Sequence, residues 1–134
     1  MKRILLLYLM LVFAVFGLTG CGKYPSHYKA VMHVHSNDSD SGWTSFHEFE
    51  GTESFKLKCE SRNSPKIRYS GKLEAGSLTV YCGCGGTKQK LFSLSSGEEV
   101  NGCSETLSAD TAYVILETSE KCQDGSLSFE IVYD

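Results

Sequence analysis

Apolar and polar residues alternate along most of this chain. In four stretches every second residue is apolar, and the residues between them are mostly polar or charged. A period of two puts successive side chains on opposite faces of an extended strand, so each stretch predicts a strand with one buried face. The residues predicted to face inward are Phe55, Leu57, Cys59, Ile67, Tyr69, Leu78, Val80, Cys82, Leu127, Phe129, Ile131 and Tyr133.

Residues 112–116 are apolar at both parities, which predicts a more central strand. Clusters of Gly, Ser, Asn and Asp punctuate the chain and predict turns. Two of these turn signals lie at residues 51–52 and 123–125. Their spacing implies eight or nine short strands. The pattern therefore predicts an all-β fold, an antiparallel β-sandwich, with a partly open β-barrel as the alternative.

The first twenty residues have the three-part plan of a secretory signal. Lys2 and Arg3 form a basic start, and residues 4–16 are an uninterrupted apolar run. A permanent transmembrane helix needs roughly 20 apolar residues, so this run is short for a retained span. The pattern predicts a segment that is removed after export.

The segment ends in Leu18, Thr19, Gly20 and Cys21. This sequence resembles the lipobox of bacterial lipoproteins: an aliphatic residue, two small residues and a cysteine. The resemblance implies diacylglycerol on the thiol of Cys21 and cleavage just before it. Two acyl chains are enough for stable membrane anchoring. The alternative is an ordinary secreted protein in which Cys21 is a disulfide partner.

These features divide the chain into a cleaved signal peptide (1–20), a lipidated tether (21–27) and a β-sandwich domain (28–134). The leader carries two of the 13 basic residues and none of the 16 acidic ones, which leaves the mature chain at about −5. An acidic surface argues against nucleic acid as a partner. We expect an extracytoplasmic protein held at a bacterial cell membrane or outer membrane by the lipid on Cys21.

Five stretches from residue 49 onwards share a pattern of strand and turn residues: Phe49-Glu50-Gly51, Ser54-Phe55, Leu73-Glu74-Ala75-Gly76-Ser77-Leu78, Thr111-Ala112-Tyr113-Val114-Ile115 and Gly125-Ser126-Leu127-Ser128-Phe129. With these stretches, the region is similar to small bacterial lipoprotein domains with a jelly-roll-like sandwich. The resemblance supports the fold and the compartment and implies no activity.

Five cysteines remain after Cys21, an odd number that leaves at least one thiol unpaired. An oxidising exterior permits disulfides. Cys59 and Cys82 share the parity of buried neighbours and could pair if their strands lie together. Cys103 and Cys122 flank the central strand and could close its ends. Cys84 is then the leftover thiol.

All four histidines lie between residues 27 and 47. His33 and His35 fall on one face of a strand, and His47 on the next strand could meet them across a hairpin. Imidazoles are common ligands of zinc and copper, so these three are the candidate metal ligands. The alternative is that they are polar residues on the solvent face of two paired strands.

No sequence pattern of a known catalytic site is present, and we expect neither an enzyme nor a bound cofactor. The leading hypothesis is a binding or envelope-interaction module with a protein or glycan partner. Trp43 is the first candidate contact residue, because exposed aromatic side chains often anchor ligands. A metal-handling lipoprotein is the second hypothesis. A small envelope enzyme with an unfamiliar site is the third.

Overall fold

The computed structural model describes residues 24–133, which form nine β-strands and one 3-10 turn at Ser61–Asn63. No helix within this part of the chain is long and apolar enough to cross a membrane. The all-β prediction is confirmed. The strands are β1 (His27–Val31), β2 (Val34–Asn37), β3 (Ser41–Lys58), β4 (Pro65–Ala75), β5 (Ser77–Cys84), β6 (Thr87–Ser95), β7 (Glu98–Cys103), β8 (Thr111–Glu117) and β9 (Cys122–Tyr133).

Strand β3 joins two antiparallel layers into one sheet of order β6-β5-β8-β3-β9-β4-β7. Its residues 41–49 pair with β9, and its residues 52–58 pair with β8. We call β3–β9–β4–β7 the first layer and β3–β8–β5–β6 the second layer. Strands β1 and β2 pair with the other edge of β3. The layers pack face to face, and β6 contacts β4 and β7, so this sandwich is nearly closed like a barrel.

The core lies between the two layers and contains the side chains that the alternation predicted to face inward. Phe55 and Phe129 meet across it with ring centroids 5.8 Å apart. Tyr69 is half-buried and stacks on Phe92 at 4.6 Å. Tyr133 is the exception at 48% exposure. It ends β9, and its hydroxyl accepts a hydrogen bond from the Glu60 amide instead of entering the core.

Strand β8 is central, as predicted, between β3 and β5. Ile115 is buried although it points away from the core cluster. The residues just before β1 lie against this outer side of the second layer. The Tyr24 ring is 5.2 Å from the Tyr113 ring, and the Ser54 hydroxyl donates to the Tyr24 carbonyl. Part of the predicted tether therefore packs onto the domain.

Two predicted turns are wrong, because residues 51–52 lie inside β3 and residues 123–125 lie inside β9. Both glycines serve close packing. Gly51 has a φ of +125°, and a Cβ there would overlap the His27 carbonyl oxygen and lie 2.7 Å from the Tyr28 Cα. A Cβ at Gly125 would overlap the Phe46 ring. At Gly51 and Gly125, the missing side chain allows another segment to pack closely, and the chain does not turn.

Candidate functional site

A row of side chains crosses the outer face of the first layer. The strand register aligns Trp43 with Ser128, Ser128 with Ser70, and Ser70 with Asn101. Directly opposed residues in an antiparallel sheet point to the same face, so one indole, two hydroxyls and one amide share this surface. The Ser70 and Ser128 hydroxyls are hydrogen-bonded at 2.7 Å.

The next row along the strands carries an ion pair. Arg68 and Glu130 are opposed in the register, and Arg68 Nε donates to Glu130 Oε1 at 2.6 Å. The guanidinium Nη2 donates to the same oxygen. Both side chains are about half exposed. The two rows line a depression of about 640 Å³, which we call the Trp43 groove.

Trp43 is 42% exposed, one of the largest apolar side chains on the described surface. Its neighbours in β3, Gly42 and Thr44, are buried. The alternation of the strand therefore holds the indole outward on a backbone that is hydrogen-bonded on both sides, by β2 and β9. An exposed aromatic ring on a rigid strand is a preorganised apolar contact surface.

A second group of polar side chains lies at the edge of the sandwich where β1 and β2 meet β3. His33 Nε2 is 3.0 Å from Glu53 Oε2, and His35 Nδ1 donates to the same oxygen at 2.8 Å. Ligand atoms of the three residues all lie within 4.8 Å of one another. We call them the His-His-Glu cluster. His33 Nε2 also lies 3.0 Å from Thr44 Oγ1.

Glu53 is 2% exposed and shares the inward parity of the core residues that follow it in β3. Its Oε1 atom is buried and has no hydrogen-bond partner among residues 24–133. Leaving a buried acceptor unpaired costs about 1–3 kcal/mol, and more for a charged group. Burial raises the pKa of Tyr28, and the charge of Glu53 adds to this rise.

His47 does not join the other two predicted metal ligands. The register of β2 pairs His35 with Thr44, which faces inward, and His47 lies at the opposite parity. His47 Nδ1 instead donates to Asp124 Oδ1 at 2.7 Å, with both side chains half exposed. This hydrogen bond and the charge of Asp124 raise the pKa of His47.

The sequence interpretation missed Glu53 as a member of the cluster. A signal was available, because Glu53 has the same parity as Phe55 and Leu57, the residues predicted to face inward. A carboxylate at an inward position of a strand is rarely buried without a cation, a hydrogen-bond donor or a metal.

None of the five cysteines in residues 24–133 forms a disulfide. Cys59 and Cys82 are both buried, as their parity predicted, but β8 separates β3 from β5. The Cys59 thiol donates to the Ala109 carbonyl at 3.1 Å. Burial raises the pKa of Cys82 to about 12, and the nearby Cys84 and Cys59 thiols add to the rise. A thiol with so high a pKa is a poor nucleophile.

Cys103 and Cys122 are also free, and they lie far apart. Cys103 is exposed on β7, level with Arg68, whereas Cys122 begins β9 and is fully buried. Strand β4 lies between β7 and β9, so the geometry of a disulfide cannot be met. The Cys122 thiol donates to the Phe49 carbonyl, and burial raises its pKa to about 11.

No protein-family model and no curated protein matches this chain. Among solved structures, a mutant family 29 carbohydrate-binding module with mannohexaose is 14% identical, at a TM-score of 0.45 over 82% of this chain and 79% of that one. A family 61 module with β-1,4-galactotriose is 9% identical, at 0.44 over 82% and 89%. The Drosophila melanogaster CENP-C cupin domain is 11% identical, at 0.33 over 80% and 70%. Overlaps this weak assign no ligand to the chain.

Proposed function

We propose that this protein is a lipid-anchored, extracytoplasmic binding domain without catalytic activity, and that it takes a glycan in the Trp43 groove. The observation that carries the proposal is the row of Trp43, Ser128, Ser70 and Asn101 across four neighbouring strands. Ligand sites commonly combine an apolar surface with a few well-placed polar groups, and this row has that composition.

Trp43 supplies the apolar part of the site. A sugar ring presents C–H groups on its faces and hydroxyls around its rim, so it matches a flat aromatic surface bordered by hydrogen-bonding groups. The indole is 42% exposed, and contact with a sugar face would remove apolar area from water.

The polar part of the site matches the rim of a sugar. Hydroxyl and amide side chains both donate and accept hydrogen bonds, as sugar hydroxyls do. Arg68 and Glu130 add a planar donor and a planar acceptor beside the row. The row crosses three strand intervals of about 4.8 Å each, roughly 14 Å in all, which suits an extended oligosaccharide better than a single sugar.

Trp43 is the only tryptophan of the chain, so intrinsic tryptophan fluorescence reports on the groove alone. We expect a saturable change in this fluorescence when the full-length protein in detergent is titrated with a panel of oligosaccharides that includes mannohexaose and β-1,4-galactotriose. Trp43→Ala should weaken the binding measured by calorimetry at least ~10-fold, because aromatic anchors dominate binding energy.

Tyr133→Ala is the matched control for the groove, because Tyr133 is similarly exposed and lies outside the lining residues. It should bind the same oligosaccharides as the native protein. Binding that survives Trp43→Ala, or no saturable binding to any member of the panel, would contradict the proposed groove.

The anchoring half of the proposal rests on Cys21, which lies outside the described residues. Cys21→Ser should abolish incorporation of labelled palmitate and leave uncleaved or released protein. Mass spectrometry of the native protein should find a mature N-terminus at residue 21 that carries the mass of the acyl chains. An unmodified mature N-terminus would refute the lipid anchor.

A further inference from the structure

The His-His-Glu cluster is independent of the Trp43 groove. His35 shares its register row with Thr44, on the inner face, whereas Trp43 faces outward. Three separate pieces of chain build the cluster: the β1–β2 connection gives His33, β2 gives His35, and the second half of β3 gives Glu53. None of these three side chains lines the Trp43 groove.

The hydrogen bonds of the cluster leave its carboxylate incompletely satisfied. Both imidazoles approach Glu53 Oε2, while Oε1 is buried without a partner in residues 24–133. Buried carboxylates are normally paired with a cation or coordinate a metal. The groups that approach Glu53 Oε2 are two imidazoles, those of His33 and His35.

The distances suit a small metal ion. Ligand atoms about 2.0–2.2 Å from a tetrahedral zinc ion lie roughly 3.3–3.6 Å from one another. The two nitrogen-to-oxygen distances here are 3.0 and 2.8 Å, and all the ligand atoms lie within 4.8 Å of one another, so shifts of roughly an ångström bring the three side chains to that spacing. The side chain of His35 is 51% exposed and gives an ion a path from solvent.

We propose that His33, His35 and Glu53 bind a divalent transition-metal ion such as zinc. His33 Nε2, His35 Nδ1 and one or both oxygens of Glu53 are the ligand atoms, and each imidazole binds in its neutral form with its proton on the other ring nitrogen. Three protein ligands leave a coordination position for water, as in zinc sites that stay open. The bound ion ties the β1–β2 connection to β3.

Calorimetric titration of the full-length protein in detergent with zinc chloride tests this site. The native protein should bind one zinc ion at the cluster, and zinc should raise its melting temperature, because an ion that binds only the folded state stabilises it. His35→Gln and Glu53→Gln should each weaken zinc binding at least ~100-fold, since even residues that merely orient metal ligands are worth 10–100-fold. His35 is half exposed, so its variant is expected to fold.

His47→Gln is the matched control, because His47 is also half exposed and bonded to a carboxylate. It should bind zinc like the native protein. Cobalt identifies the ligand atoms, since thiolate ligands add an intense near-ultraviolet charge-transfer band that nitrogen and oxygen ligands lack. A native protein that binds no zinc, unchanged binding in His35→Gln, or a thiolate band lost only with cysteine substitutions would each overturn the proposal.

Discussion

Phe129→Ala is expected to lower the free energy of unfolding by about 3–5 kcal/mol. Phe129 is 2% exposed, and its ring faces Phe55 across the core at a centroid distance of 5.8 Å. Alanine would leave a cavity between two layers that are joined through β3 and cannot close up freely. Equilibrium denaturation in urea measures the loss. It is a large share of the ~5–15 kcal/mol that stabilises a typical domain.

Glu130→Ala is the control for this experiment, one residue away on the outer face. Glu130 forms an ion pair with Arg68, and both side chains are about half exposed. Exposed ion pairs contribute little, so the change should cost less than ~1 kcal/mol. Similar losses for the two variants would mean that the alternation of β9 does not separate a buried face from a solvated one.

Gly51→Ala is expected to destabilise the protein by about 3–4 kcal/mol, although it adds a single methyl group. The φ of +125° at Gly51 is strained for any residue with a side chain. The added Cβ would also overlap the His27 carbonyl oxygen and press on Tyr28, which pushes β1 away from β3. Urea denaturation measures the loss, and hydrogen exchange of the β1 amides should accelerate.

Gly97→Ala separates the two causes. Gly97 also has a positive φ, +77°, but a Cβ there would meet nothing within 4 Å. It should cost only the backbone strain, about 1–2 kcal/mol. If the two glycine variants lose equal stability, close packing of β1 on β3 is not what requires glycine at position 51.

The inward faces of the strands could be predicted from the sequence because one side of each strand meets the core and the other meets water. That condition holds for Leu78 and Val80 in β5 and for Leu127 in β9, all of them buried. It holds less well at the strand ends, where Tyr133 is exposed. Residues 112–116 revealed a central strand because their outer side is covered as well.

The path of β3 could not be predicted from the sequence. Gly51 and Thr52 have the composition of a turn, yet the strand continues for eighteen residues. Glycine is required at position 51 because β1 packs so closely against β3 there that a Cβ would overlap it. This contact joins segments that are distant in sequence, so the residue composition around Gly51 cannot predict it.

The sequence grouped His33 with His35 but offered His47 as their third partner, where the structure has Glu53. The spacing of His33 and His35 brought them together, because it is local to one short segment. Glu53 reaches them only because β3 carries it from one layer into the other along the β1–β2 edge. His47 is closer in sequence but lies at the outward parity. The strand face on which a residue lies predicts the members of the cluster better than its distance along the sequence does.

Tyr24 packs against the second layer, which fixes the side of the domain from which the N-terminal segment leaves. A Cβ at Gly83 would lie 2.6 Å from the Tyr24 ring, so the tyrosine packs directly on the backbone of β5, where only glycine leaves room for it. Only two residues separate Tyr24 from Cys21. The extended chain from Cys21 to Tyr24 spans at most roughly 10 Å. A lipid on Cys21 would therefore hold the second layer close to the bilayer. The Trp43 groove is on the outer side of the opposite layer, so in such an arrangement it would face away from the membrane.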